Sequence, residues 1–139
     1  MRNQRGWIYG LSVGLALTLA YQPSYAASPC DSVDTQVTKQ LKLQYSKLIA
    51  KSVGQKVKAS EVGIDKYMRA EDWVVIYADV PVADPGYFFF DASSGNPIFK
   101  DVWGGMAEKS DLPNLVKWAR KLGAGPKIAS CFAADATED

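Results

Sequence analysis

The sequence predicts an α+β domain, with a long N-terminal helix packed on an antiparallel four-stranded sheet and a second helix near the C-terminus. Three observations predict it. Apolar residues recur at three- and four-residue spacing over residues 32–52 and again over 110–122. The stretch between them is β-branched and aromatic, and it is divided by short turn signals. The two periodic segments lie on either side of that stretch, so helices flank strands along the chain.

In the first helix, Val33, Val37, Leu41, Tyr45, Leu48 and Ile49 fall on one face. Asp31, Ser32 and Asp34 supply capping groups and first-turn negative charge, and Gly54 is the stop signal. The other face carries Lys39, Lys42, Lys47 and Lys51, with Lys56 and Lys58 just beyond. A solvated face is the expectation there, and docking of an acidic partner or anionic lipid is the alternative.

Residues 61–69 alternate apolar and polar, and the run from Trp73 to Val80 (WVVIYADV) is β-branched and aromatic, so both read as strands. The link Arg69, Ala70, Glu71 and Asp72 is short enough for a hairpin. Pro81, Asp84, Pro85 and Gly86 then mark a proline-limited connection. A third strand from Tyr87 to Asp91 passes through the turn signal of residues 92–97 into a fourth over 98–103, and an antiparallel meander is the economical assembly. Gly104 and Gly105 end the strands. Ser110 and Asp111 open the second helix, in which Leu112, Leu115, Val116, Ala119 and Leu122 share a face, and Gly123, Gly125 and Pro126 terminate it. The last apolar segment, 128–134, is expected to pack back on the domain before the acidic end at Asp135, Glu138 and Asp139.

The long first helix, the strand beginning WVVIY at Trp73 and the segment YFFFDASSG from Tyr87 to Gly95 together resemble small secreted PepSY and cystatin-like domains over residues 34–103. That resemblance implies an inhibitory or binding role rather than catalysis. It does not extend to the Trp103–Met106 segment or to the second helix.

The N-terminus reads as a cleavable export signal. Arg2 and Arg5 precede an apolar stretch from Trp7 to Ala20, Pro23 follows, and Ser24 and Ala26 place small residues where signal peptidase requires them. Cleavage after Ala26 is expected, with an uncleaved anchor as the alternative. A lipid-attached Cys30 is disfavoured by Ala27, Ser28 and Pro29 before it. Removing residues 1–26 from the 139 leaves 113, a single domain over 27–139, and lowers the 16 basic side chains to 14 against 15 acidic ones. A near-neutral chain argues against a general nucleic-acid binder. No second apolar run approaches spanning length, so no integral membrane segment is expected after cleavage. In an oxidising compartment the two cysteines, Cys30 and Cys131, are expected to pair as a structural disulfide.

The sequence contains no histidine. That removes the Ser-His-Asp and Cys-His nucleophile systems and the usual zinc sites. Asp72, Asp79, Asp84, Asp91, Asp101 and Glu108 remain as carboxylates, and nothing in their spacing singles out an acid and base pair. Asp91, Ser93 and Asn96 put oxygen atoms on one loop without the spacing of a calcium loop, so a turn stabilised by aspartate is expected. No metal and no cofactor are expected.

Aromatic density is the most distinctive feature, with Tyr87, Phe88, Phe89, Phe90, Phe99 and Trp103 crowding two strands and their surroundings. Strand alternation places Phe88 and Phe90 on one face and Tyr87 and Phe89 on the other. If the first face meets the first helix, the second needs the second helix, a ligand or a partner to cover it. Export, a disulfide and the missing catalytic equipment together favour a non-catalytic periplasmic or secreted protein that binds another protein, an inhibitor or immunity protein against an envelope-directed enzyme or toxin. The expected contact residues are Tyr87, Phe89, Asp91, Asp101, Trp103, Met106 and Glu108. A small-ligand or lipid carrier, with a cavity between the first helix and the sheet, and a carboxylate-dependent cell-wall glycan hydrolase are the alternatives.

Overall fold

Short turns decide the sheet topology. In the computed structural model, which describes residues 25–54 and 56–138, β1 (Gly63–Ala70) meets β2 (Trp73–Val80) through Glu71 and Asp72 alone. β2 meets β3 (Ala83–Asp91) through Pro81 and Val82. Two-residue links permit only antiparallel neighbours. With β4 (Ile98–Gly104), the result is an antiparallel sheet in the order β1-β2-β3-β4, so β1 and β4 are its edges. The export signal expected at 1–26 lies, but for Tyr25 and Ala26, outside the described residues.

Three bulges adjust the ladder. Ala78 pairs with Gly86 while Val80 pairs with Ala83, so Asp84 and Pro85 form an irregularity inside β3 where the sequence suggested only a connection. A bulge is the place where a central strand tolerates proline. In β1, Ile64 pairs with Ala78 and Lys66 with Tyr77, leaving Asp65 as the extra residue and bringing Lys66 and Tyr77 opposite each other. In β4, Phe90 pairs with Phe99 and Phe89 with Asp101, leaving Lys100 extra.

α1 (Lys39–Ser52) lies on one face of the sheet, burying Tyr45, Ile49 and Ala50 against a cluster that includes Val74, Ile76, Phe88 and Phe90. The opposite face is covered by α2 (Leu112–Lys121) and α3 (Pro126–Ala136), whose Leu115, Ala119, Ile128 and Phe132 pack on Val75, Tyr87 and Phe89. The sheet is therefore buried on both faces. Each fully buried aromatic ring adds on the order of 2 to 3 kcal/mol of hydrophobic stabilisation.

One helix boundary and the number of helices differ from the sequence reading. The first helix starts at Lys39 rather than near Ser32, because Thr38 is its cap, the side chain accepting from the Leu41 N–H at 3.1 Å. Upstream, Asp34 exchanges two 2.8 Å backbone hydrogen bonds with Arg69, which holds this stretch extended along β1. Val33 consequently belongs to the cluster under α2 and α3, on the opposite side of the sheet from α1. The final apolar segment is a third helix, with Gly125 as N-cap and Pro126 at its first position, where a proline lacks no needed donor.

Candidate functional site

The aromatic strand β3 divides as its alternation dictates, and helices cover both halves. Phe89 is fully buried, its ring centroid 5.2 Å from Trp118 and 4.9 Å from Phe132. Tyr87 is also buried, 5.1 Å from Phe132. Its hydroxyl donates to Asp135 Oδ2 at 2.8 Å, and Lys66 Nζ donates to both oxygens of the same carboxylate at 2.9 and 2.8 Å. Burial, then the bond to Asp135, pushes the Tyr87 hydroxyl well above the usual phenol range. Tyr87 and Phe89 are thus core residues that offer no surface to a partner, because α2 and α3 take the place a partner would have filled.

The other five expected contact residues reach the surface, but not as one patch. Asp91 closes the β3–β4 turn, its Oδ1 accepting from the Ser93 N–H at 2.9 Å. Hydrogen bonds from Ser93 and, secondarily, the nearby Lys100 charge hold its carboxyl below the usual range. Glu108 lies beyond the sheet and caps a short 3-10 turn with Asp111. Asp101, Trp103 and Met106 follow one another along β4 and the loop after it. Trp103 is half-buried, its ring 6.0 Å from Tyr87 and 5.8 Å from Phe132, so one part packs on the core while the rest is open. Met106 is fully exposed.

Three more exposed apolar residues were not singled out by the sequence reading. Ile98 is 55% exposed and Val102 41%, both on edge strand β4, and Val82 is 48% exposed in the neighbouring β2–β3 turn. Alternation along β4 was legible, but a strand's position at the edge of a sheet is set by its neighbours and leaves no local mark. The Asp101 carboxylate wraps onto its own strand, Oδ1 accepting from the Val102 N–H at 2.8 Å.

Beside β4 is an open cleft of about 550 Å³, between the C-terminal end of α1 and the lower half of β3 and β4. Its apolar lining comes from Val53, Val80, Phe88, Phe99 and Val102, and Asp84 and Asp101 line it as well. Gly86 keeps β3 close to β4 there, since a Cβ would lie 2.9 Å from the Trp103 carbonyl oxygen. The two ion pairs among the described residues, Lys66 with Asp135 and Lys127 with Glu71, leave Asp84 and Asp101 out. The lining includes no lysine or arginine. The register puts Val102 opposite Phe88, on the α1 face that lines the cleft, and Asp101 opposite Phe89, on the face toward α2 and α3.

Compared with protein families, curated proteins and solved structures, the chain finds no match in any of the three. The resemblance to PepSY and cystatin-like domains therefore assigns no family. Among the described residues, no helix is long and apolar enough to cross a membrane.

Proposed function

We propose that this is an exported, non-catalytic protein that binds another protein, acting as an inhibitor or immunity protein against an envelope-directed enzyme or toxin. The observation that carries the reading is the open edge of the sheet, where β4 carries exposed Ile98 on one face and exposed Val102 on the other, and the loop after it carries exposed Met106. Exposed apolar side chains grouped on one edge have a cost in solubility that a binding surface explains. The Cys30 to Cys131 disulfide suits an oxidising compartment, in line with the export signal expected from the sequence.

Chemical crosslinking in the native host followed by identification of the linked peptides tests this. The expected outcome is a single envelope protein crosslinked through residues 98–108, with the yield reduced about ten-fold by Met106→Asp combined with Ile98→Asp. Both positions are exposed, so stability should stay within about 0.5 kcal/mol of the unsubstituted protein. Crosslinks that ignore this edge, or a yield unchanged by the double substitution, would remove the reading.

A carboxylate-dependent glycan hydrolase has less support, because Asp101 lies opposite Phe89 on the face toward α2 and α3 and so makes no acid and base pair with Asp84 in the cleft. Release of soluble fragments from purified peptidoglycan, abolished by Asp84→Asn, would put that reading first. The carrier alternative has only the open cleft at the C-terminal end of α1 to support it, because Tyr45, Ile49 and Phe90 fill the rest of the space between α1 and the sheet.

A further inference from the structure

We propose that the outer ridge of α1 docks the protein on a bilayer surface that carries anionic phospholipid, with Leu43 entering the headgroup layer between lysines. Charge is segregated along this chain. Residues 35–60 hold six lysines, Lys39, Lys42, Lys47, Lys51, Lys56 and Lys58, and no acid. The other eight basic side chains of residues 27–139 share the remaining sequence with all 15 acids. One segment is therefore strongly positive while the rest of the domain is negative.

The fold turns that segment into a face. α1 buries Tyr45 and Ile49 toward the sheet, so Lys39, Leu43, Lys47 and Lys51, each four residues from the next, form one ridge along its opposite side. The three lysines of the ridge are exposed, and Leu43 is 66% exposed. None of the six lysines belongs to an ion pair among the described residues. Lys42 Nζ donates to the Ile64 carbonyl oxygen at 3.3 Å, which leaves its charge uncancelled. On the side of the β3–β4 turn, the grooves that Lys47 and Lys51 line with Pro97 contain no acid. On the other flank, Asp65 is the one acid in the groove with Lys42 and Lys47. Glu61 is engaged by its own turn, accepting from the Lys58 backbone N–H at 2.7 Å.

The residue types favour a bilayer over an acidic protein as the occupant. Every cation of the segment is a lysine. Carboxylates fixed on a protein partner are best held by the planar fork of arginine, whereas the point charge of lysine suits headgroups that exchange places beneath it. α1 contains no arginine, and its one aromatic residue, Tyr45, is buried, so the ridge lacks the usual anchors of a protein interface. Leu43 has Lys39 and Lys47 one turn to either side. It can reach the acyl boundary while both ammonium groups stay at the level of the phosphates. A lysine near an anionic surface contributes about five-fold in affinity, so Lys39, Lys47 and Lys51 together account for about a hundred-fold. Docked in this way, α1 lies flat on the bilayer, and α2 and α3, on the far face of the sheet, point away from it. The inference does not depend on what binds the β4 edge.

The test is cosedimentation of the exported, disulfide-bonded protein with vesicles of phosphatidylcholine, alone or with about 30% phosphatidylglycerol. Binding is expected to the mixed vesicles only, and it should fall at least about ten-fold as salt rises from about 50 to about 300 mM. Lys39→Gln, Lys47→Gln and Lys51→Gln combined should weaken it by about a hundred-fold. Lys109→Gln, Lys117→Gln and Lys121→Gln combined remove the same charge from exposed positions on the far side of the sheet, and should leave affinity within about three-fold of the parent. Leu43→Gln, at unchanged charge, should weaken binding by about three-fold. All these positions are exposed, so urea midpoints should match the parent's. Equally tight binding to neutral vesicles, no binding up to about 5 mM lipid, or equal losses from the two triple variants would overturn the docking ridge. Unchanged affinity on Leu43→Gln would overturn the insertion of that side chain. Binding to polyglutamate through the same three lysines, without binding to the mixed vesicles, would assign the ridge to an acidic polypeptide and overturn the bilayer.

Discussion

Among single residues, phenol groups are the most strongly perturbed titrating side chains of this fold. Tyr45 is 3% exposed between α1 and the sheet, close to Tyr67 and Phe90. Burial pushes its hydroxyl up to about 12, with the Tyr67 charge adding to the effect and Arg69 opposing it. An unfolded tyrosine ionises near 10, so the unfolded chain releases this proton first as pH rises. The stabilisation is therefore complete below about pH 10 and is lost as pH climbs toward 12, by an amount on the order of 2 kcal/mol. Urea denaturation at pH 8, 10 and 11 should show the decline, and Tyr45→Phe should make it shallower. A Tyr45→Phe variant that declines as steeply as the parent would show that other groups govern the alkaline limb. The mechanism was not readable from the chain, where Tyr45 appears only as one apolar position on a helical face.

Within elements, the pairing of β3 with β4 makes a sharp distinction between two glycines that look alike in the sequence. At Gly86, an added Cβ would meet the Trp103 carbonyl oxygen at 2.9 Å and a Val102 methyl at 3.0 Å. Backbone cannot move aside as a flexible side chain can, so the strands must separate. At Gly104, the nearest such atom is the Pro85 carbonyl oxygen at 3.7 Å, an ordinary contact. Gly86→Ala should cost about 2 to 3 kcal/mol in chemical denaturation, as overpacked sites do, while Gly104→Ala should stay within about 1 kcal/mol. Equal costs would mean that the close approach at Gly86 is not a constraint. In the sequence, Gly86 follows a proline and reads as a turn residue. Only the bulge at Asp84 and Pro85 draws it into the sheet, opposite Gly104.

For the molecule as a whole, the two ends of the described fold are tied through α3. Cys131, fully buried, bonds to Cys30 across 101 residues, and its sulfur lies 3.8 Å from the Met68 sulfur. Asp135, one turn later on the helix, takes the hydrogen bonds of Lys66 and Tyr87. Closing so long a loop disfavours the unfolded chain by about 4 to 5 kcal/mol in the chain-entropy treatment, a large part of a small domain's stability. Reduction, or Cys30→Ala with Cys131→Ala, should lower the unfolding free energy by about 4 kcal/mol, as measured by urea titration with and without reductant. An unchanged midpoint after reduction would mean that the α3 packing alone closes the fold.

Local spacing carries the part of this fold that could be read along the chain. The strand count and the β1–β2 hairpin were legible, as were the apolar face of α2 and the split of Phe88 and Phe90 from Tyr87 and Phe89, because side-chain periodicity is a property of a few consecutive residues. The cysteine pairing followed from there being only two. Which residues on those elements meet solvent was settled in three dimensions. Pairing of Asp34 with Arg69 shortened α1, Val33 went to the far side of the sheet, and α2 and α3 buried Tyr87 and Phe89. The same packing made β4 an edge and left the cleft lined by Val80, Phe88 and Val102. Cover and edge are relations between segments far apart in the chain, so the exposed apolar side chains are those of Ile98, Val102 and Met106 at the open edge rather than those of the most aromatic strand.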